Sequence, residues 1–131
     1  MSNSYFHAQS TARKFGGTPE DYIEIHEFLD GSKMTFGDVR HRALLHNTWG
    51  IWMAQQMFGR VIMIEKKHGG QKPVAVREIA ENHILEDLGF IPEVGDWLNN
   101  MDMKVWMGGK QHRIMSRGDF LDRTIKESNG R

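Results

Sequence analysis

The sequence predicts a mainly α fold with one small β-hairpin, an α+β domain of three principal helices followed by short C-terminal elements. Three observations carry this reading. Capped, periodically apolar stretches occupy residues 18–30, 35–59 and 77–88. A β-rich run, Val61-Ile62-Met63-Ile64, is separated from Pro73-Val74-Ala75-Val76 by a polar loop containing Gly69-Gly70. The 131 residues contain no repeat, low-complexity tract or linker, so residues 1–131 read as a single domain.

Each element has its own local reason. Residues 1–17 begin polar, place His7, Ala8 and Thr11 at helical spacing, and end in Phe15-Gly16-Gly17, which would stop a short helix. Thr18-Pro19-Glu20-Asp21 is a helix start, with a capping threonine, proline at the first position and an aspartate to close the capping box. That helix is expected to run to Asp30, with Gly31 as its stop. Its apolar stripe is Tyr22, Ile25 and Leu29, and His26 lies on the same side.

Thr35 and Asp38 repeat the capping pattern, and Gly59 would end the longest helical stretch. One stripe there reads Val39, Ala43, His46, Gly50, Met53, Met57, and a neighbouring one Leu45, Trp49, Trp52. Two such stripes predict a helix covered on much of its circumference, with the tryptophans in the core. Gly50 costs roughly 1 kcal/mol against alanine in mid-helix, which suggests close approach of another backbone or room for a bulky neighbour. Proline in the second hairpin strand implies an edge position. Arg77–Leu88 predicts a helix ended by Gly89, with Val76, Ala80, Ile84 and Leu88 inward and Ile79, His83 and Asp87 beside them. Residues 91–98 read as a turn into a short helix, 104–107 with 111–115 as a weaker hairpin, and 119–126 as a short amphipathic helix.

Composition excludes several classes of function. The 17 basic and 17 acidic residues cancel, so there is no overall attraction to nucleic acid or anionic membrane. The absence of cysteine removes disulfides, thiolate zinc sites and a cysteine nucleophile. No basic-then-apolar leader opens the chain and no run reaches about 18 apolar residues, so the expected location is the cytoplasm.

The residues with chemical potential are histidines on apolar stripes. His26, His46 and His83 come from three helices, and His83 and Asp87, four apart, share a face. Imidazoles with a carboxylate suit zinc, iron or manganese, which makes His26, His46, His83 and Asp87 candidate metal ligands, with His7 as a further candidate. His41 and His46 stand about 140° apart on an ideal helix and do not share one ion easily. Two other readings fit the same residues. One is a buried polar network in which Asp87 partners His83. The other is a metal-free site with His83 as general base, although no nucleophile stands out.

Elsewhere the signals are weaker. Gly69-Gly70 and Gly108-Gly109 read as hairpin turns, since neither opens a helix after a strand as a phosphate cradle does. Arg40 and Arg42 are candidates for an anionic ligand, whereas the lysines of 66–72 read as a solvated face. Trp106-Met107 beside two glycines reads as an exposed partner surface.

Several stretches together resemble a family of small uncharacterised proteins, a domain of unknown function found in bacteriophages and bacteria. They are His7, Gly16 to Tyr22, Ile25-His26, Arg40 to His46, Gly50-Ile51, Val74 to Arg77, Ile79 to His83, Glu86 to Gly89, Ile91-Pro92, Asp96 to Leu98 and Trp106-Met107. The likeness spans about residues 7–107 and leaves the stretch from about 108 outside it. It implies a phage-type accessory protein in a host cytoplasm and supplies no activity. It adds weight to His7, His26, Arg40, His41, Arg42, His46, Glu81, His83 and Asp87 as a set, with Arg40, His41, Arg42 and Glu81 as ligand-binding candidates. Asn47 stands where the family pattern often carries a second histidine, which puts a ligand role at that position in doubt. Two expectations about function follow: an inward His/Asp site for a divalent metal, or a metal-free protein that binds and modulates a host factor.

Overall fold

A computed structural model describes residues 3–109 and 116–118, and its contacts divide the chain into two units, Met1–Leu98 and Asn99–Arg131. Helix α1 (Ser4–Phe15) starts where Asn3 accepts a hydrogen bond from the Phe6 amide at 3.0 Å, and it stops at Gly16, φ 93°. It buries His7, Ala8 and Thr11, the residues whose spacing suggested a helix. The Thr18–Asp21 capping box is formed, but it caps a 3-10 turn over Pro19–Asp21, and α2 (Ile23–Asp30) follows. Gly31 does not act as a left-handed stop. Its φ is −60°, and the chain continues into a 3-10 turn over Gly31–Met34.

The expected long helix over 35–59 is two elements. Asp38 caps a 3-10 turn over Val39–Ala43 by accepting from the Arg40 amide at 2.9 Å. The chain then turns, and α3 (Thr48–Phe58) begins afresh. Asn47 makes the break: its side-chain oxygen accepts from the Gly50 amide at 2.8 Å, while its amide nitrogen donates to the Ala43 carbonyl at 2.8 Å. Short polar side chains compete with the helix ladder in this way wherever they find backbone partners. Gly50 is needed for the close approach that results, because a Cβ there would lie 1.7 Å from the Leu45 carbonyl oxygen.

This break re-aims the apolar stripes. Helix α3 buries Gly50, Ile51 and Ala54. Trp49 and Trp52, expected in the core, are instead 52% and 47% exposed and stack on each other with ring centroids 4.8 Å apart.

Strands β1 (Val61–Glu65) and β2 (Gln71–Ala75) pair antiparallel, with Ile62 opposite Val74 and Met63 opposite Pro73. The proline is tolerated because a two-stranded sheet has only edges. Ile64 and Val74 point into the core. The second strand runs directly into α4 (Val76–Leu88), which ends at the left-handed Gly89, φ 83°. Helix α5 (Val94–Leu98) follows. The apolar core joins Ala8, Tyr22, Ile25, Leu29, Ile51, Ala54, Ile79 and Ile84, so α4 packs against the other three long helices.

In the second unit, residues 105–108 form a 3-10 turn, not the strand expected there. The expected partner strand at 111–115 and the expected helix at 119–126 lie outside the described residues. Among the described residues no helix is long and apolar enough to cross a membrane.

Tyr22 ties α1 to α2. It is fully buried, and its hydroxyl donates to the Gly16 carbonyl at 2.6 Å. Burial, with Asp21 nearby, pushes its phenol up to about 12. An unfolded tyrosine ionises near about 10, so this group adds stability below that pH and loses it as pH rises through the folded value. Tyr22→Phe is expected to cost about 1 kcal/mol near neutral pH. It should also flatten the alkaline loss of stability seen in the wild type, and denaturant unfolding across that range would show it; matching alkaline profiles would contradict this. Gly50→Ala forces backbone apart and is expected to cost more than about 3 kcal/mol, measured as the shift in unfolding midpoint.

Candidate metal centre

Four side chains from three segments meet beside the apolar core. Asp30 ends α2, His46 sits in the turn before α3, and His83 and Asp87 lie one turn apart on α4. The His46 backbone is fixed on both sides, since its amide donates to the Arg42 carbonyl at 2.8 Å and its carbonyl accepts from the Trp97 indole at 3.1 Å. One ligand atom from each of the four residues lies within 4.8 Å of the others.

The contacts alternate imidazole and carboxylate. His46 Nε2 is 2.8 Å from Asp87 Oδ2 and 3.7 Å from Asp30 Oδ1. His83 Nε2 is 2.9 Å from Asp30 Oδ1 and 3.4 Å from Asp87 Oδ2. Ligands of a tetrahedral ion at 2.0–2.2 Å stand about 3.3–3.6 Å apart, so these four separations straddle the required one. The histidine side chains are fully buried and the two carboxylates only 6% and 4% exposed.

The electrostatics favour a cation. Burial raises Asp87, but hydrogen bonds from His46, His7 and His83 outweigh it and hold the carboxyl far below the usual range. Burial likewise raises Asp30, and its bond with His83 more than reverses that. Burial lowers His46 despite its bond to Asp87, and burial pushes His26 down to about 3. Two carboxylates are thus kept ionised beside His46, whose imidazole burial holds toward its neutral form. The cations near them are off-centre. Arg42 Nη2 is 3.7 Å from Asp87 Oδ1. His7 Nε2 is 3.2 Å from the same oxygen, and its Nδ1 is 2.9 Å from Glu86. Burial works against the His7 charge, but Asp87 and Glu86 together raise it.

The expected site residues separate clearly. The structure brings His46, His83 and Asp87 together. His26 stands one step behind them, its Nδ1 2.8 Å from His83 Nδ1 and its Nε2 2.7 Å from the Thr11 hydroxyl. His7 touches Asp87 and lies against the His83 ring at 3.9 Å between centroids, outside the four-residue set. Among the ligand-binding candidates, Arg42 reaches the edge of the centre. His41 is buried, with Nδ1 bonded to Ser32 and its ring 6.2 Å from that of His46. Arg40 is on the surface, paired with Asp38 and stacked on Phe36, and Glu81 pairs with Arg77 on the outer face of α4. Trp106 and Met107 are 41% and 40% exposed, in the second unit.

Asp30 is the residue that the sequence reading left out of the ligand set. Its signal was present: His26 and Asp30 repeat the i, i+4 spacing of His83 and Asp87. It stands at the expected end of its helix, off the apolar stripe of Tyr22, Ile25 and Leu29 that marks the inward side.

A family model described as Domain of unknown function (DUF6915) matches residues 2–107. No curated protein and no solved structure matches the chain.

Proposed function

The chain belongs to this family, whose description assigns no activity, and we propose that it binds one divalent metal ion through Asp30, His46, His83 and Asp87. The observation that carries the proposal is the convergence of four buried ligand atoms within 4.8 Å from α2, the 44–47 turn and α4. Two imidazoles and two carboxylates form a borderline-to-hard ligand set suited to zinc, iron(II) or manganese(II). An ion there would add positive charge between two buried carboxylates, whose other partners, Ser4, His7 and Arg42, approach from the side. It also cross-links three segments far apart in sequence, so binding stabilises the folded chain.

Protein purified without a histidine tag is expected to contain about one metal ion per chain by elemental analysis. His46→Ala and His83→Ala should abolish it, while Glu81→Ala retains it. Added metal at a hundredfold excess over its dissociation constant should raise stability by about 2.7 kcal/mol. No stoichiometric metal in any preparation, as purified or after metal is added, would sink the reading.

A second reading is a metal-free protein that binds and modulates a host factor, in keeping with a phage-type accessory role. The exposed Trp106 and Met107 support it, as does the solvent-facing Trp49–Trp52 pair. A partner captured from host lysate should be lost with Trp106→Ala; retention by that variant would rule the Trp106 surface out.

A further inference from the structure

Helix α1 supplies none of the four ligands, yet Ser4 and His7 touch three of them and Thr11 reaches them through His26. Ser4, His7 and Thr11 fall at i, i+3 and i+7 and so lie on one stripe. The Ser4 hydroxyl donates to Asp30 Oδ2 at 3.3 Å. His7 reaches Asp87 Oδ1 and covers the His83 ring. Thr11 reaches His26, which in turn reaches His83.

We propose that the Ser4–His7–Thr11 stripe of α1 orients the ligands of the metal centre, with Thr11 acting through His26 to set which nitrogen of His83 carries the hydrogen and so to leave Nε2 bare toward the ion. The proposal rests on the metal-binding reading above. Its logic is the direction of a hydrogen-bonded chain. The Thr11 hydroxyl lies 2.8 Å from the His7 carbonyl one turn back and can donate there. Having one hydrogen, it then accepts from His26 Nε2–H. Neutral His26 is left bare at Nδ1 and accepts from His83 Nδ1–H. His83 Nε2 is then bare and directed at Asp30 Oδ1, 2.9 Å away.

A bare nitrogen facing a carboxylate is a repulsive pair unless a cation lies between them. In this direction the chain sets a lone pair toward the ion, as partners behind a metal-bound histidine do. Rotating the Thr11 hydroxyl onto His26 Nε2 reverses every bond. His26 then donates from Nδ1, and His83 donates from Nε2 to Asp30, which satisfies the metal-free centre. Both directions keep one hydrogen on each of the two rings. Metal binding selects the first, so Thr11, His26 and Ser4 are positioning residues.

Long-range proton–nitrogen NMR of labelled protein, with and without zinc, reads these tautomers directly. Zinc-loaded protein should carry hydrogen on His83 Nδ1 and His26 Nε2; metal-free protein should carry it on His83 Nε2 and His26 Nδ1. Thr11→Val should weaken zinc binding by about 10–100-fold, measured by chelator competition, and Thr11→Ser should restore it. Ser4→Ala should weaken it too. Loaded His83 protonated on Nε2, or wild-type affinity in both Thr11→Val and Ser4→Ala, would overturn the proposal. If Thr11→Val does not fold, the wild-type tautomers decide alone. Failure of the wild type to take up zinc appears in the same titration and overturns the metal centre itself, a separate outcome.

Discussion

Asp30 and Asp87 are carried out of water at the ends of α2 and α4, and ionised carboxylates so placed must be matched by cations or donors. Each surrounding element contributes to that match. Helix α1 brings Ser4 and His7, the 39–46 segment brings Arg42 and His46, and α4 brings His83. The apolar residues that close the core occupy the same helices, with Ile79, Ala80 and Ile84 flanking His83. Helix α4 therefore serves two interiors, one apolar and one polar, and the packing of α1 and α2 against it satisfies both.

The turn between Ala43 and Thr48 delivers His46 to this polar interior. Asn47 interrupts an otherwise helical pattern, and Gly50 lets the Leu45 backbone pass close over the start of α3. The Trp97 indole then anchors the His46 carbonyl. A continuous helix would keep the periodic stripes of 35–59 in register and turn both tryptophans inward. The break leaves Trp49 and Trp52 stacked in solvent, so the chain accepts exposed aromatic surface in order to present one histidine.

Much of this was legible from sequence, and the gaps have definite causes. The hairpin and α4 were readable because period-2 and period-3.6 patterns are bounded there by glycine. His46, His83 and Asp87 were readable as inward because they interrupt apolar stripes. The interruption at Asn47 was not, because a capping side chain inside an apolar period is invisible until its backbone partners are in place. Asp30 was hidden for a related reason. Gly31 reads as a helix stop, but the chain continues into a 3-10 turn and Asp30 is buried. The roles of Ser4 and Thr11 depend wholly on tertiary contact, and no local pattern marks them.

Anomalous diffraction from crystals of the zinc-loaded protein, collected on both sides of the metal edge, bears most directly on whether these carboxylates and imidazoles form a metal centre. The expected result is one strong peak enclosed by Asp30, His46, His83 and Asp87, with metal–ligand distances of about 2.0–2.2 Å. A peak at a surface histidine such as His68, or none among the four side chains, would contradict the account.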